Sequence, residues 1–298
     1  MKKLLLLFLC LHSIAFLFSQ KPDKRLQKKI EETIQGFNGD IGIYVKNVRT
    51  GKIVSINADT IFPTASIVKV PILLGIMDKI QKGELAYDSV LVYKDSLLYE
   101  GEDILGSFKN DEKILLKKVM MLMLTTSDNT ASLWLQSLAG KGARINEILD
   151  SIGLVYTRVN SRTPGRENNR TQYGWGQTTP KEMGTIFEKI YRNEIFSVAA
   201  CDRMMRSLGR NYWDLNEAIS QIPPYVEVFS KNGCVNASRS EVLLINGPHN
   251  PYIFCIFTKN NKDTQWTHDN EAWAIARKIS LILWRYFEKK DKWEPPKR

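Results

Sequence analysis

Stretches with strand character lie near both ends of this 298-residue chain, and helical stretches fill the middle. Residues 41–47 alternate, with Ile41, Ile43 and Val45 on one side. Arg49-Thr50-Gly51-Lys52 supplies a turn, and 53–56 return as the second strand of a hairpin. Further on, 226–230, 241–245 and 252–258 are short and β-rich, with Asn246-Gly247-Pro248-His249-Asn250-Pro251 turning between the last two. Distant strands of this kind must share one sheet to bury their apolar sides, with the helical middle as an insertion. Residues 25–37, with Leu26, Ile30, Ile34 and Phe37 on one face, and residues 269–287 read as amphipathic helices flanking that sheet. The expected class is α/β, an antiparallel sheet with N- and C-terminal helices plus an all-helical insert. The expected units are a leader at 1–20, an α/β subdomain from 21–63 and 208–298, and a helical subdomain from 64–207.

Within the insert, an apolar helix runs from Ser66 to about residue 83. Residues 87–94 are short and irregular or extended. Helical patterns follow at 115–124, 129–139, 146–152 and 180–191, the last with Thr179 as cap and Pro180 at its first position. Residues 160–178 carry no periodicity and are rich in Asn, Arg, Gly and Gln. A loop of that length inside a domain is usually functional. There is no internal repeat or low-complexity segment.

The first 20 residues have a different task. Lys2 and Lys3 precede an apolar run at 4–18 broken only by His12 and Ser13, the pattern of a secretory signal. The run is short for a membrane span, and no second stretch is long enough. Retention of 1–20 as an anchor is the alternative. With cleavage, the protein is expected to be secreted to the periplasm, without stable membrane insertion. Removing Lys2, Lys3 and no acid lowers the formal charge from +10 to +8. The positive residues are scattered, and an exported address argues against nucleic acid as a partner. Cys201, Cys234 and Cys255 remain, an odd number that leaves at least one thiol unpaired. Ligand spacings for a metal are lacking, so no metal or cofactor is expected.

Three stretches carry chemistry. Ser66-Ile67-Val68-Lys69 puts a hydroxyl and an ammonium three residues apart, on one face if the run is helical. That helix is apolar nearly all round, hence buried, and burial lowers a lysine's pKa. A neutral lysine can then take the serine's proton and make it a nucleophile. A capping serine and a snorkelling lysine would give the same letters. Ser127-Asp128-Asn129 sits between two apolar helices and reads either as part of a cleft or as a capping loop. Ser230-Lys231-Asn232-Gly233 ends a strand, with Arg239 eight residues after Lys231, and reads either as a site or as an ordinary strand turn.

In this order, the three stretches resemble the motif set of the serine β-lactamase and penicillin-binding protein superfamily: Ser-x-x-Lys, Ser-Asp-Asn and Lys-Thr-Gly. The likeness runs from about Arg25 to Phe287, and the class A enzymes are the nearest pattern. Asn232 replaces the hydroxyl residue of the third motif. Tyr99 falls where class A enzymes carry an aromatic residue at the cleft edge. Thr178-Thr179-Pro180 resembles the start of the helix after their omega loop. The resemblance implies Ser66 as nucleophile, Lys69 as its proton acceptor and Ser127 as relay to the leaving nitrogen. It implies Asn129 as holder of the substrate amide and Lys231 as partner of the substrate carboxylate and support of Ser127. Backbone N–H groups of Ser66 and Cys234, just after Gly233, would form the oxyanion hole, with Arg239 as a second carboxylate partner.

Class A enzymes carry a deacylating glutamate just before an omega-loop proline, where this chain has Thr163-Pro164. Glu167, three residues on, is either a substitute base or a solvated loop charge. The resemblance thus implies opening of a small-molecule β-lactam by a monomer, with slow release of product. A cell-wall peptidase, esterase or penicillin-binding protein is the alternative, with cell-wall peptide as partner. A binding protein that has lost its chemistry is disfavoured by the intact Ser66, Lys69 and Ser127.

Overall fold

A computed structural model describes residues 21–101, 103–209 and 211–296 of the chain. The expected leader at 1–20 lies outside the described residues. Asp23 caps the first helix, α1 (Lys24–Ile34), by accepting the Leu26 amide at 3.1 Å. The hairpin β1 (Asp40–Asn47) and β2 (Ile53–Ile56) follows, then the two-residue β3 (Phe62–Pro63). A tight 3₁₀ turn at Ala65–Val68 leads into α2 (Lys69–Gln81). The ribbon β4 (Val90–Val92) and β5 (Lys113–Leu115) precedes α3 (Leu116–Met121), which runs into a π-helical turn, Leu122–Thr126. Then come α4 (Asn129–Leu138), α5 (Lys141–Ser151), β6 (Arg158–Val159), α6 (Glu167–Tyr173) and β7 (Gly176–Thr178). Finally α7 (Pro180–Tyr191), α8 (Val198–Leu208), β8 (Val228–Val235), β9 (Ser238–Ile245), β10 (Tyr252–Lys259) and α9 (Glu271–Phe287) complete the chain.

The main sheet has the order β2-β1-β10-β9-β8, so strands from both ends do meet, in antiparallel pairs. One side carries Ile41, Ile43, Val45, Leu243 and Phe254 under α1 and α9. The other side is not solvated: Tyr44, Ile253, Cys255 and Val242 join the helical layer's core. The central strands are therefore buried on both faces.

Helix α2 is the axis of the helical layer. Val70, Ile72, Leu73, Leu74, Ile76 and Met77 are fully buried on every side of it. Each such side chain contributes about 1.5–3 kcal/mol of transfer free energy. Gly75 lets α2 close on α4 and α5; a Cβ there would lie 2.9 Å from Ala139 Cβ and 2.8 Å from Ile145 Cγ1.

Several elements depart from the sequence pattern. The third chemical stretch lies inside β8, because the strand continues to Val235, and not at a strand end. Residues 64–207 are not wholly helical: β6, β7 and β3 form a small sheet, Val159 pairing with Gly176 and Phe62 with Thr178. That sheet fastens residues 160–178 beside the turn of Ser66. Within them, α6 buries no residue, which is why no apolar period announces it. Helix α8 was not anticipated, although Ser197 caps it and Ala200, Cys201, Met204 and Leu208 are buried at helical spacing. Among the described residues, no helix is long and apolar enough to cross a membrane.

Candidate active site

The sequence before α2 puts strain next to Ser66. Ala65 has φ +43°, a left-handed conformation that a residue with a Cβ adopts at a cost of about 1 kcal/mol or more. Ser66 opens onto the cleft from the 3₁₀ turn, and Lys69, fully buried, begins the α-helix. The Lys69 Nζ lies 3.0 Å from Ser66 Oγ, 3.0 Å from Ser127 Oγ and 2.8 Å from Asn129 Oδ1, and donates to the Ser127 carbonyl. Burial pushes the Lys69 pKa well below its ordinary value, and the charge of Lys231 lowers it further; Asp103 and Asp128 oppose this. An amine without its third proton can accept one from either serine hydroxyl.

The second wall comes from the connector between the π-helical turn and α4. Ser127 is itself left-handed, φ +63°. Asp128 caps α4 through the Ala131 amide, 2.7 Å, and also accepts the Leu105 amide, 2.8 Å. So the capping reading and the cleft reading hold together: Asp128 fixes the connector while its neighbours face Lys69. Asp103 also matters, and sequence reasoning missed it. It accepts the Asn129 amide at 2.9 Å, the Thr130 amide at 2.8 Å and the Thr130 hydroxyl at 3.1 Å. Its only sequence signal was an acid in a stretch without periodicity.

Strand β8 is the third wall. Gly233 lies against the Ser66 turn, bringing the adjoining Cys234 to line the cleft beside Ser66. Lys231 is fully buried, and its Nζ donates to Asn232 O at 2.8 Å and Asn232 Oδ1 at 3.1 Å. Desolvation pulls its pKa down to about 8. Burial pushes the Cys234 thiol up to about 12, which makes it inert as a nucleophile at neutral pH. Among the described residues the cysteines, Cys201, Cys234 and Cys255, are free thiols.

The cleft has two adjoining parts of 560 and 760 Å³, and Ser66, Asn129 and Cys234 line both. Such volumes suit a small ligand. Tyr99 lines the smaller part and meets Trp175 edge to face, ring centroids 5.2 Å apart.

Arg239 departs from expectation. Its guanidinium donates to the carbonyls of Val235, Asn236, Ser238 and Gln265 and stacks 4.3 Å from Trp266 and 4.7 Å from Trp273. It lines neither part of the cleft. A buried guanidinium needs acceptors, and the turn after β8 supplies them. Glu167 lies exposed in the first turn of α6, accepting the Gly165 amide at 3.1 Å, and does not line the cleft either. The solvated-charge alternative is the one its position matches. Thr163 turns its hydroxyl to the carbonyls of Val159 and Ser161. Residues 160–178 are held by neutral partners: Arg166 donates to Asn160 Oδ1 at 2.7 Å and Gln177 Oε1 at 2.9 Å. Among the described residues lining the smaller part, none is a carboxylate.

A serine, a buried lysine one turn on and a second serine on the facing connector, over a mixed α/β scaffold, define an active-serine hydrolase. The model of the β-lactamase enzyme family matches residues 25–287, and the chain belongs to that family, as a serine β-lactamase-type hydrolase. It is 23% identical to β-lactamase VEB-1 of Pseudomonas aeruginosa, over 96% of this chain and 98% of that protein. It is 25% identical to an imipenem-hydrolyzing β-lactamase of Enterobacter cloacae, over 91% and 93% respectively. Solved structures agree in fold. A PBP-A variant, as its acyl-enzyme complex with penicillin G, matches at TM-score 0.79 with 23% identity, covering 91% of this chain and 98% of that one. The TLA-1 extended-spectrum β-lactamase matches at 0.79 with 18% identity, covering 88% and 98%.

Proposed function

We propose that this is an exported enzyme that opens β-lactam rings through an ester on Ser66 and frees the product slowly. The observation that carries the first part is the single Lys69 Nζ within 3.0 Å of both Ser66 Oγ and Ser127 Oγ. Neutral Lys69 takes the Ser66 proton as Oγ bonds to the lactam carbonyl carbon. The oxyanion sits between the Ser66 and Cys234 amides, a kind of donor worth about 10²–10³ in rate. As the C–N bond breaks, the proton passes from Lys69 through Ser127 to the leaving nitrogen. Water then splits the ester, giving the ring-opened acid and returning a proton to Ser66 Oγ.

Slow release is supported by the lack of a carboxylate among the described residues of the smaller part of the cleft, and by the outward position of Glu167. A general base for water supplies about 10²–10⁴-fold. The same feature favours a second reading, a penicillin-binding peptidase acting on cell-wall peptide. Export rests on residues 1–20 alone.

The test is intact mass against time after mixing the mature protein with penicillin G. An adduct that outlasts several half-lives of its formation, equally long-lived in Glu167→Gln, is expected. Rapid turnover without adduct, or an adduct that lasts longer in Glu167→Gln, contradicts slow, Glu167-independent release. No adduct, with Ser66→Ala behaving identically, removes the β-lactam reading.

A further inference from the structure

The larger part of the cleft has the wrong charge for the substrate carboxylate that the third motif is expected to bind. Its described lining includes Asp103, Asp214 and Glu217 but no Lys, Arg or His. Lys231 lies behind the wall, and Arg239 is turned into the carbonyls after β8.

Glu217 is the informative member. It is 6% exposed, yet it lines the cavity. Its Oε1 accepts the Asn232 Nδ2 at 3.0 Å, and its Oε2 accepts the Asn216 amide at 3.0 Å. Asn232 in turn accepts Lys231 Nζ at both its carbonyl oxygens. An ammonium, an amide and a carboxylate thus form one chain within the wall. One of the two side-chain N–H groups of Asn232 is thus already bound by a resident carboxyl group. Behind it, on β9, Glu241 faces Asn232 across the ladder, its carboxyl pushed up to about 8 by burial. Burial pushes the Glu217 carboxyl up as well, while the N–H groups of Asn232 and Asn216 and the charge of Lys231 favour its anionic form.

We propose that Glu217 sets specificity: the enzyme takes acyl donors whose group beside the scissile bond is neutral or cationic, such as an ester, amide or amine, and disfavours a carboxylate there. An arriving carboxylate meets the acceptor oxygens of a resident carboxyl group and must break the Glu217–Asn232 bond to reach Lys231. A neutral group meets no such repulsion and can rest against Trp213 and Trp266, which line the same cavity. The inference rests on the acyl-enzyme reading above and names its substrate class.

The experiment compares penicillin G with its methyl ester, which differ only at that group. Acylation of the wild-type chain is followed by intact mass. The ester is expected to acylate at least about tenfold faster than the acid, the scale on which like-charge contacts discriminate. Glu217→Gln and Glu217→Ala should each raise the rate for the acid about tenfold or more while leaving the ester's rate nearly unchanged. A merely structural role would move both compounds together. A wild type that prefers the acid overturns the proposal, and so does an acid-to-ester ratio that is the same in both variants. Adducts with that outcome leave the acyl-enzyme reading intact. No adduct from either compound overturns both.

Discussion

A methyl group on Gly233 would sit 2.4 Å from the Thr64 carbonyl oxygen and 2.9 Å from the Ser66 amide nitrogen. No real Cβ tolerates the first distance. Strand β8 and the Ser66 turn are therefore as close as two backbones can be, and Gly233 is what permits it. Gly233→Ala is expected to push β8 off the turn. The result should be a loss of about 1–3 kcal/mol in stability, as for other overpacked sites, with acylation reduced more than the unfolding midpoint suggests. Thermal unfolding and adduct formation measured on the same sample check this.

Lys69 shows the opposite balance. A fully buried amine, its charged form penalised by burial, costs stability that an apolar side chain of similar length would not. Lys69→Met is expected to match or exceed the wild-type unfolding temperature while losing about 10²-fold or more in acylation rate. A variant that keeps its acylation rate would remove Lys69 from the mechanism.

The pH profile follows from the same groups. Neutral Lys69 is the active form, so acylation should rise with pH through the lowered Lys69 pKa. Asp103 raises the Lys69 pKa by its charge. Asp103→Asn removes that charge while keeping one oxygen, enough for either the Asn129 or the Thr130 amide. The rising limb should then move to lower pH, as seen in acylation rates across a buffer series.

How far the sequence reaches is visible at these residues. Ser66, Lys69, Ser127 and Asn129 were legible because two local motifs at the starts of helices fix their geometry over a few residues. Gly233 was legible as a letter, but its meaning comes from a turn far away in sequence. Asp103, Glu217 and the true partners of Arg239 were not legible. Each acts by accepting or donating to groups that only tertiary packing brings near. The first strand could be read by its alternation, and the C-terminal ones as short β-rich runs between turn residues. The exposed α6 could not, because it has no apolar face.

Glu241 gives a stability test with a definite sign. Its folded pKa, about 8, lies above the ordinary 4.5 because the carboxyl is buried near Glu217. The folded state holds a proton that the unfolded chain releases from about pH 4.5 upward. This contribution is whole below that pH, shrinks as pH rises and is gone above about 8. Glu241→Gln removes the titration and keeps one of the two oxygens that accept the Ala218 and Ile219 amides. It should flatten the fall of unfolding temperature from pH 5 to 8, and the difference curve between variant and wild type reports it directly.

The most direct measurement is peptide mapping of the protein quenched soon after mixing with penicillin G. The mass of one opened lactam should appear on the peptide carrying Ser66, and Lys69→Met should abolish it. A modification on any other residue, or an undiminished Ser66 adduct in Lys69→Met, would contradict the claim that this buried amine makes that hydroxyl a nucleophile.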